Sequence, residues 1–311
     1  VIVYDKLTYA GNLDNLADVR DDPRYSFVKG DICDRSLVEE SVKSHQVDAI
    51  VNFAAETHVD RSILDPGSFI QTDVYGTYVL LEVVHRCNLE RLLHVSTDEV
   101  YGDIAEGSSV EGDPLAPNSP YSASKSGADL MARAYHVTYG VPVVITRGSN
   151  NFGPYQYPEK MIPLFITNLL DDQPVPLYGD GLNVRDWIYV LDHCEAIDLA
   201  LHEGNSGEIY NVGAGNEVTN IALTRMLLEL TGRSDELVRK VADRPGHDRR
   251  YSLDCSKIRA LGWQPRHDFA EAIARTVEWY RDNRNWWERI KSGEYQSYYQ
   301  QQYGDRQGFT S

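Results

Sequence analysis

The chain is poor in basic charge and has no long apolar run. Lys and Arg number 30 against 47 Asp and Glu, a formal net charge of −17 over 311 residues. A surface for polyanions needs a net basic face, which excludes nucleic-acid binding as the main function. A small anionic ligand stays open, provided Arg, Lys or backbone N–H groups are gathered locally. Polar residues break every apolar run well short of the roughly twenty positions that span a bilayer, so a soluble protein with no membrane partner is expected. The four cysteines, Cys33, Cys87, Cys194 and Cys255, lie far apart, with no C-x-x-C pair and no His at ligand spacing. Neither a metal site nor a disulfide framework is expected, and a reducing cytoplasm fits. The chain opens on Val1-Ile2-Val3 inside a strand-like run, with no initiator Met and no signal peptide, and is expected to be a cut version of a longer one.

What is present is a patterned core: 42% of residues are apolar. Val1–Tyr4, Tyr25–Val28, Ala49–Phe53, Leu92–Val95 and Val141–Ile145 read as strands, and Ser36–His45, Val74–Cys87 and Tyr121–Tyr139 as amphipathic helices between them. Strand–helix alternation predicts an α/β fold with a parallel, doubly wound sheet. Ligands of such folds gather at the carboxyl tips of strands, where Asp5, Asp31, Glu56, Thr97 and Asn150 fall. After about residue 150, Pro-punctuated segments (Asn151–Pro163, Pro174–Gly181) and helices over Thr219–Leu230 and Phe269–Arg281 predict a smaller mixed α/β lobe. The aromatics of the last helix are expected to pack rather than to hold a cofactor. Tyr295–Tyr303 reads as a docked or frayed tail.

Two stretches carry chemistry. In Tyr121-Ser122-Ala123-Ser124-Lys125 the phenol and the ammonium are four apart, one turn from each other on a helix, and a neighbouring ammonium is expected to lower the phenol pKa toward use as a base. In Ser96-Thr97-Asp98-Glu99 a strand ends in two hydroxyls and two adjacent carboxylates. Adjacent side chains of an extended segment point to opposite sides, so a turn is needed to aim both carboxylates at one ligand. An ordinary solvated loop is the plain alternative.

Ordered motifs run nearly the length of the chain: DKLTYAGN (5–12), GDI (30–32), FAAETHVDRS (53–62), STDEVYG (96–102), YSASK (121–125), RGSNNFGPYQYPEKMIP (147–163), RDWIYV (185–190) and DRPGHDRRY (243–251). With these the chain resembles the extended short-chain dehydrogenases/reductases, and among them the dTDP-glucose 4,6-dehydratase family. The resemblance implies a Rossmann-type NAD-binding domain over 1–150, rejoined by part of 182–213, and a sugar-nucleotide lobe mainly in 151–311. The first strand and glycine-rich turn of the family should precede Val1 and are not in the chain; their omission is the favoured explanation.

The activity so implied oxidises C4 of dTDP-glucose with NAD, removes water across C5 and C6, and returns the hydride to C6. Tyr121 is then the base at the C4 hydroxyl, tuned by Lys125 and by the positive nicotinamide, with Thr97 holding the same oxygen; Glu99 is the base at C5 and Asp98 the acid at C6. The residue types alone leave the last two assignments interchangeable. The resemblance further implies NAD contacts from Asp5, Lys6, Leu7, Thr8, Asp31, Ile32, Phe53, Ala54, Ala55, Thr72, Tyr121, Lys125 and Asn151. Asp5 would repel a ribose 2′-phosphate and so selects NAD over NADP, an inference Lys6 weakens. For the sugar nucleotide the matching positions are Thr57, Thr97, Asn150, Glu159, Lys160, Arg185, Asn220, Arg244 and His247. Arg185 could alternatively form a surface ion pair with Asp186, whereas Arg244 to Arg250 is too dense in donors to be idle on so acidic a chain. His58 is as well explained as a structural histidine as by ligand contact. A homodimer through the 74–87 and 121–139 helices is implied, with a weak echo in their apolar faces. A sugar-nucleotide 4-epimerase or decarboxylase would share Tyr121, Lys125 and NAD without needing the carboxylate pair, and a non-catalytic binding fragment would need neither.

Overall fold

Short apolar runs that alternate with amphipathic segments become parallel strands covered by helices. The computed structural model describes residues 1–292; the 295–303 stretch lies outside the described residues. In chain order the first half forms β1 (Ile2–Asp5), β2 (Ser26–Lys29), α1 (Arg35–Ser44), β3 (Ala49–Asn52), α2 (Val59–Leu64), α3 (Pro66–Phe69), α4 (Thr77–Cys87), β4 (Arg91–Thr97), α5 (Pro120–Tyr139) and β5 (Val143–Gly148). The second half forms β6 (Asn150–Phe152), α6 (Met161–Leu170), β7 (Val175–Tyr178), β8 (Val184–Tyr189), α7 (Val190–Glu203), β9 (Ile209–Val212), β10 (Glu217–Thr219), α8 (Asn220–Thr231), β11 (Val238–Val241), α9 (Ser256–Ala260), α10 (Phe269–Asp282) and α11 (Arg284–Lys291).

The main ladder is parallel in the order β3-β4-β5-β9, and β1 pairs in parallel with β2 in a ladder of its own. Leu92 and Leu93 of β4 face opposite sides of the sheet, and both are fully buried. Leu92 packs with side chains of α1, α4 and α5, Leu93 with those of α7 and α9. Helices therefore cover both faces, the doubly wound α/β arrangement. β9 returns from the second half to pair with β5, setting Ile209 beside Ile145.

A second core forms where α6, α8, α10 and α11 pack on β6 and β8, around Phe152, Ile166, Leu227, Tyr280 and Trp287. Tyr280 of α10 is buried there, and Phe269 and Trp279 pack against it. The β10-β8-β6 and β11-β7 ladders belong to this lobe.

Residues 74–87 do not form one α-helix. Ile70–Gly76 is a π-helical segment and α4 begins at Thr77. The wider turn accommodates an extra residue, and Asp73 points inward from it, accepting the Glu56 N–H at 2.8 Å and the Ser124 hydroxyl at 2.5 Å. Asp73 thus ties the loop after β3 to the first turns of α5. That helix starts sharply because Ser119 and Ser122 form a capping box with Pro120 at the first helical position, and it stops at Gly140, with φ of 71°.

Candidate functional site

A cavity of about 490 Å³ opens at the carboxyl tips of β3, β4 and β5, walled on the other side by residues of α6, β7, β8 and α8. β4 delivers Ser96 and Thr97 to it, and the chain then turns at once into a 3-10 segment, Asp98–Tyr101. Thr97 caps this turn by accepting the Glu99 N–H at its hydroxyl, 3.3 Å away. In place of the opposed side chains of a strand, both Asp98 and Glu99 line the cavity. Gly102 closes the turn at φ of 80°, and a Cβ there would sit 2.2 Å from the Ala116 carbonyl oxygen, so the last letter of STDEVYG is a steric requirement.

The two carboxylates meet different fields. Asp98 is buried; one oxygen receives the Thr97 hydroxyl at 3.1 Å and the other has no hydrogen-bond partner among the described residues. Burial first, then the charges of Glu99 and Asp186, push its carboxyl well above the usual range. Burial raises Glu99 as well, and Arg244, Arg185 and Lys160 offset that rise only in part, so it stays above its ordinary value but is opposed by more cations than Asp98. The arrangement favours a protonated Asp98 beside an ionised Glu99.

Tyr121 and Lys125 share the buried face of α5 and both line the cavity, and the Lys125 ammonium donates to the Val95 carbonyl at 2.8 Å. In the protein alone Lys125 does not produce the expected lowering of the Tyr121 pKa. Burial, followed by the negative charges of Glu99 and Asp73, pushes the phenol well above its ordinary value, and Asp98 adds to this. The ammonium faces Asp73 and Asp129 as well, so its charge is shared rather than aimed at the phenol. Among the described residues no cation is aimed at the Tyr121 phenol alone.

That lack fits an oxidised nicotinamide, whose positive ring would offset those carboxylates. Phe53, Ala55, Tyr121, Lys125 and Asn151 of the cofactor candidates line the cavity. Phe53 keeps 59% of its surface exposed at the tip of β3, and the Asn151 amide oxygen is buried without a hydrogen-bond partner among the described residues. The remaining cofactor candidates are not in this wall. Asp5, Lys6, Leu7 and Thr8 lie at or after the end of β1 and Asp31 and Ile32 just after β2, joined by the Lys6–Asp31 ion pair at 2.6 Å. Asp5 accepts the Leu7 N–H at 2.6 Å. The Ala54 N–H is turned to Asn52 at 3.1 Å, and Thr72 sits in the π-helical segment.

Thr57, Thr97, Asn150, Glu159, Lys160, Arg185, Asn220, Arg244 and His247 all line the cavity. Asn150 and Asn220 present buried amide oxygens, and Arg244 a buried Nε, with no partner among the described residues. Glu159 also ties loops together: its two oxygens take the Tyr9 hydroxyl at 2.8 Å and Arg61 at 3.0 Å. Lys160 donates to the Thr57 carbonyl. The alternative of an Arg185–Asp186 surface pair is excluded, because both are buried on successive positions of β8. Arg185 donates to the Val184 and Asp248 carbonyls at 2.7 and 2.9 Å, and Asp186 accepts the Asn216 N–H at 2.7 Å.

The basic run is less concentrated than its sequence suggests. Arg249 pairs with Asp180 and Arg250 with Glu217, each at 2.8 Å, leaving Arg244 and His247 as its members in the cavity wall. His247 meets Asp243 at 2.5 Å, yet burial and the Arg244 charge hold its ring down to about 4. His58 is buried in the same wall, and burial with the Lys160 charge keeps it neutral. Sequence reasoning missed Asp60, Tyr178 and His193, which also line the cavity. His193 follows RDWIYV by three residues and was within reach; nothing around Tyr178 marks it.

The protein family described as GDP-mannose 4,6 dehydratase matches residues 1–276. A dTDP-glucose 4,6-dehydratase of Actinoplanes sp. is 58% identical over 288 residues, 92% of this chain and 89% of that protein. The crystal structure of the dTDP-glucose 4,6-dehydratase DesIV from Streptomyces venezuelae, with NAD and TYD bound, is 58% identical with a TM-score of 0.92, covering 94% of this chain and 90% of that one. A UDP-glucose 4-epimerase from Thermotoga maritima, with UDP-glucose, is 30% identical with a TM-score of 0.84, covering 91% of each chain.

Proposed function

The chain belongs to the GDP-mannose 4,6 dehydratase family, among its dTDP-glucose 4,6-dehydratases, and on that premise we propose that its cavity converts dTDP-glucose to dTDP-4-keto-6-deoxyglucose. It is an NAD-dependent hydro-lyase. The observation that carries the reading is the split pair: Asp98 is pushed well up by burial and by the Glu99 and Asp186 charges, with Arg185 the opposing cation, beside a Glu99 that Arg244, Arg185 and Lys160 all face. An epimerase has no use for such a division of labour.

Each residue meets a stated demand. Tyr121 takes the C4 hydroxyl proton, and Thr97 donates to the same oxygen. Phe53, Ala55, Tyr121, Lys125 and Asn151 would hold NAD, which would supply a hydride acceptor for C4 and the same hydride for return to C6, with no net change of the cofactor. The C4 ketone acidifies C5–H, Glu99 takes that proton, and Asp98 gives its own to the C6 hydroxyl, which leaves as water. Glu99 then holds the proton that C5 needs back. Arg244, Arg185 and Lys160 supply the local positive charge an anionic diphosphate requires on an acidic chain, and Asn150 and Asn220 offer the unused acceptors.

On this reading residues 1–150, with part of 182–213, form the NAD half, Asp5 to Thr8 with Asp31 and Ile32 meeting its adenosine end, and 151–311 mainly the sugar-nucleotide half. A homodimer through α4 and α5 is supported by the exposed Tyr75, Leu130, Val137 and Tyr139 on or beside those helices. Free thiols at Cys33, Cys87, Cys194 and Cys255, and the lack of any helix long and apolar enough to cross a membrane among the described residues, support a cytoplasmic setting.

Incubation with dTDP-glucose and NAD tests the proposal. The alkali-dependent absorbance of a 4-keto-6-deoxy sugar should rise with time; accumulation of dTDP-galactose instead would assign epimerisation.

A further inference from the structure

Behind Glu99, outside the cavity wall, lies a phenol that the reaction above does not use. Tyr251 is 3% exposed, and its hydroxyl stands between two carboxylates, 2.6 Å from Asp248 Oδ2 and 3.5 Å from Glu99 Oε2. Building on the dehydratase reading, we infer that Tyr251, anchored by Asp248, is a positioning residue that turns an oxygen lone pair toward Glu99 and so receives Glu99 in its protonated form.

The argument is one of proton counting. A phenol has a single proton to donate, and at these distances it goes to Asp248. Asp248 is built as an acceptor: its other carboxylate oxygen takes the Asn118 amide at 2.6 Å, and its carbonyl takes Asn183 at 3.1 Å and Arg185 at 2.9 Å. The Arg185 guanidinium also lies 4.2 Å over the Tyr251 ring and fixes its plane. With its proton committed, the phenol offers Glu99 only lone pairs. An ionised Glu99 gains nothing from them, whereas a Glu99 that has just taken the C5 proton can donate to them.

The interaction therefore strengthens as the proton moves, the condition for accelerating a step rather than merely binding its reactant. In that step the C5–H bond breaks, its electron pair passes into the C4 ketone system, and an O–H bond forms on Glu99. The groups facing Glu99 divide accordingly. Arg244, Arg185 and Lys160 favour its ionised form, burial and Asp248 oppose them, the protonated Asp98 adds no charge, and Tyr121 contributes a neutral phenol. Tyr251 adds affinity for the proton without adding charge.

The test is Tyr251→Phe, which keeps the ring, with Asp248→Asn as the second variant. In Asp248→Asn the Asn118 amide selects the side-chain oxygen, so the new amide N–H faces the phenol and turns its proton onto Glu99. In ligand-free protein carrying 13C-labelled glutamate, with Glu99 assigned through Glu99→Gln, the Glu99 titration midpoint should fall by roughly half to one pH unit in Tyr251→Phe and further in Asp248→Asn. With NAD and dTDP-glucose, C5 solvent exchange should slow roughly three- to tenfold, its acidic limb moving to lower pH by the same shift, while KM stays within about twofold. Unchanged or raised midpoints in folded variants would overturn the inference. If the midpoints shift but the wild type yields no 4-keto-6-deoxy product, the inference stands and the dehydratase reading fails.

Discussion

At the residue scale the site rests on two neighbours of one chemical type held in different fields. Asp98 is pushed toward its protonated form by burial and by the Glu99 and Asp186 charges, whereas the three cations around Glu99 counter its burial. Replacing Glu99 by Gln should lower C5 solvent exchange by about 10²- to 10⁴-fold, the span of a lost general base. Binding of dTDP-glucose and NAD should change little, and ordinary exchange would remove Glu99 from the role. Asp98→Asn should behave differently: exchange at C5 persists while elimination slows, so a 4-keto sugar still carrying its C6 hydroxyl accumulates and is seen by mass spectrometry. Equal loss of both steps in both variants would deny the division of labour. Tyr121 shows how far residue-scale reasoning reaches. Its spacing to Lys125 is a property of the sequence, but what raises its pKa is burial first and then carboxylates from the turn after β4 and from the π-helical segment.

At the element scale the decisive piece is the turn from Asp98 to Tyr101. A continued strand would send one carboxylate into the core, whereas the 3-10 turn capped by Thr97 brings both to the cavity. Gly102→Ala forces a positive φ on a residue with a Cβ and drives that carbon against the Ala116 carbonyl, so a loss of roughly 1–3 kcal/mol is expected. Chemical denaturation measures the loss, and turnover should drop more than stability alone explains, because the turn aims the acid and the base. A variant as stable as the wild type would remove the steric argument.

At the scale of the whole molecule, stability should depend on pH through buried histidines. Burial holds His193 down to about 4 against an ordinary value of 6.5. The unfolded chain therefore binds a proton there that the folded one refuses, so His193 contributes fully above about pH 6.5, and up to roughly 3 kcal/mol is lost as pH falls toward 4. Asp98, Asp73 and Asp129, raised mainly by burial, act in the opposite sense, favouring the folded state as pH falls. The difference between proteins isolates the histidine: His193→Gln should lose less unfolding free energy than the wild type between pH 6.5 and 4, and parallel curves would show that His193 does not titrate in this way. The exposed apolar side chains of α5 make a second expectation at this scale. The wild type should sediment at twice the chain mass, and Leu130→Asp with Val137→Asp should shift it to the monomer.

Much was legible beforehand because it is local. Alternating apolar runs define strands and helices, capping residues bound α5, and a carboxylate pair after a strand marks a candidate site. Asp98, Glu99, Tyr121 and Lys125 could be named from their spacing and from ordered motifs. What the sequence could not contain is distance through space. Arg244, Arg185 and Lys160 lie far apart along the chain and converge on Glu99 only when β8 and the loops of the second lobe close over β4. The same closure commits Glu159 to Tyr9 and Arg61, takes Arg249 and Arg250 into surface ion pairs, and sets Tyr251 behind Glu99. Sequence by itself determined which groups could react; tertiary structure decided their protonation, because burial and opposing charge are properties of neighbours in space rather than in the chain.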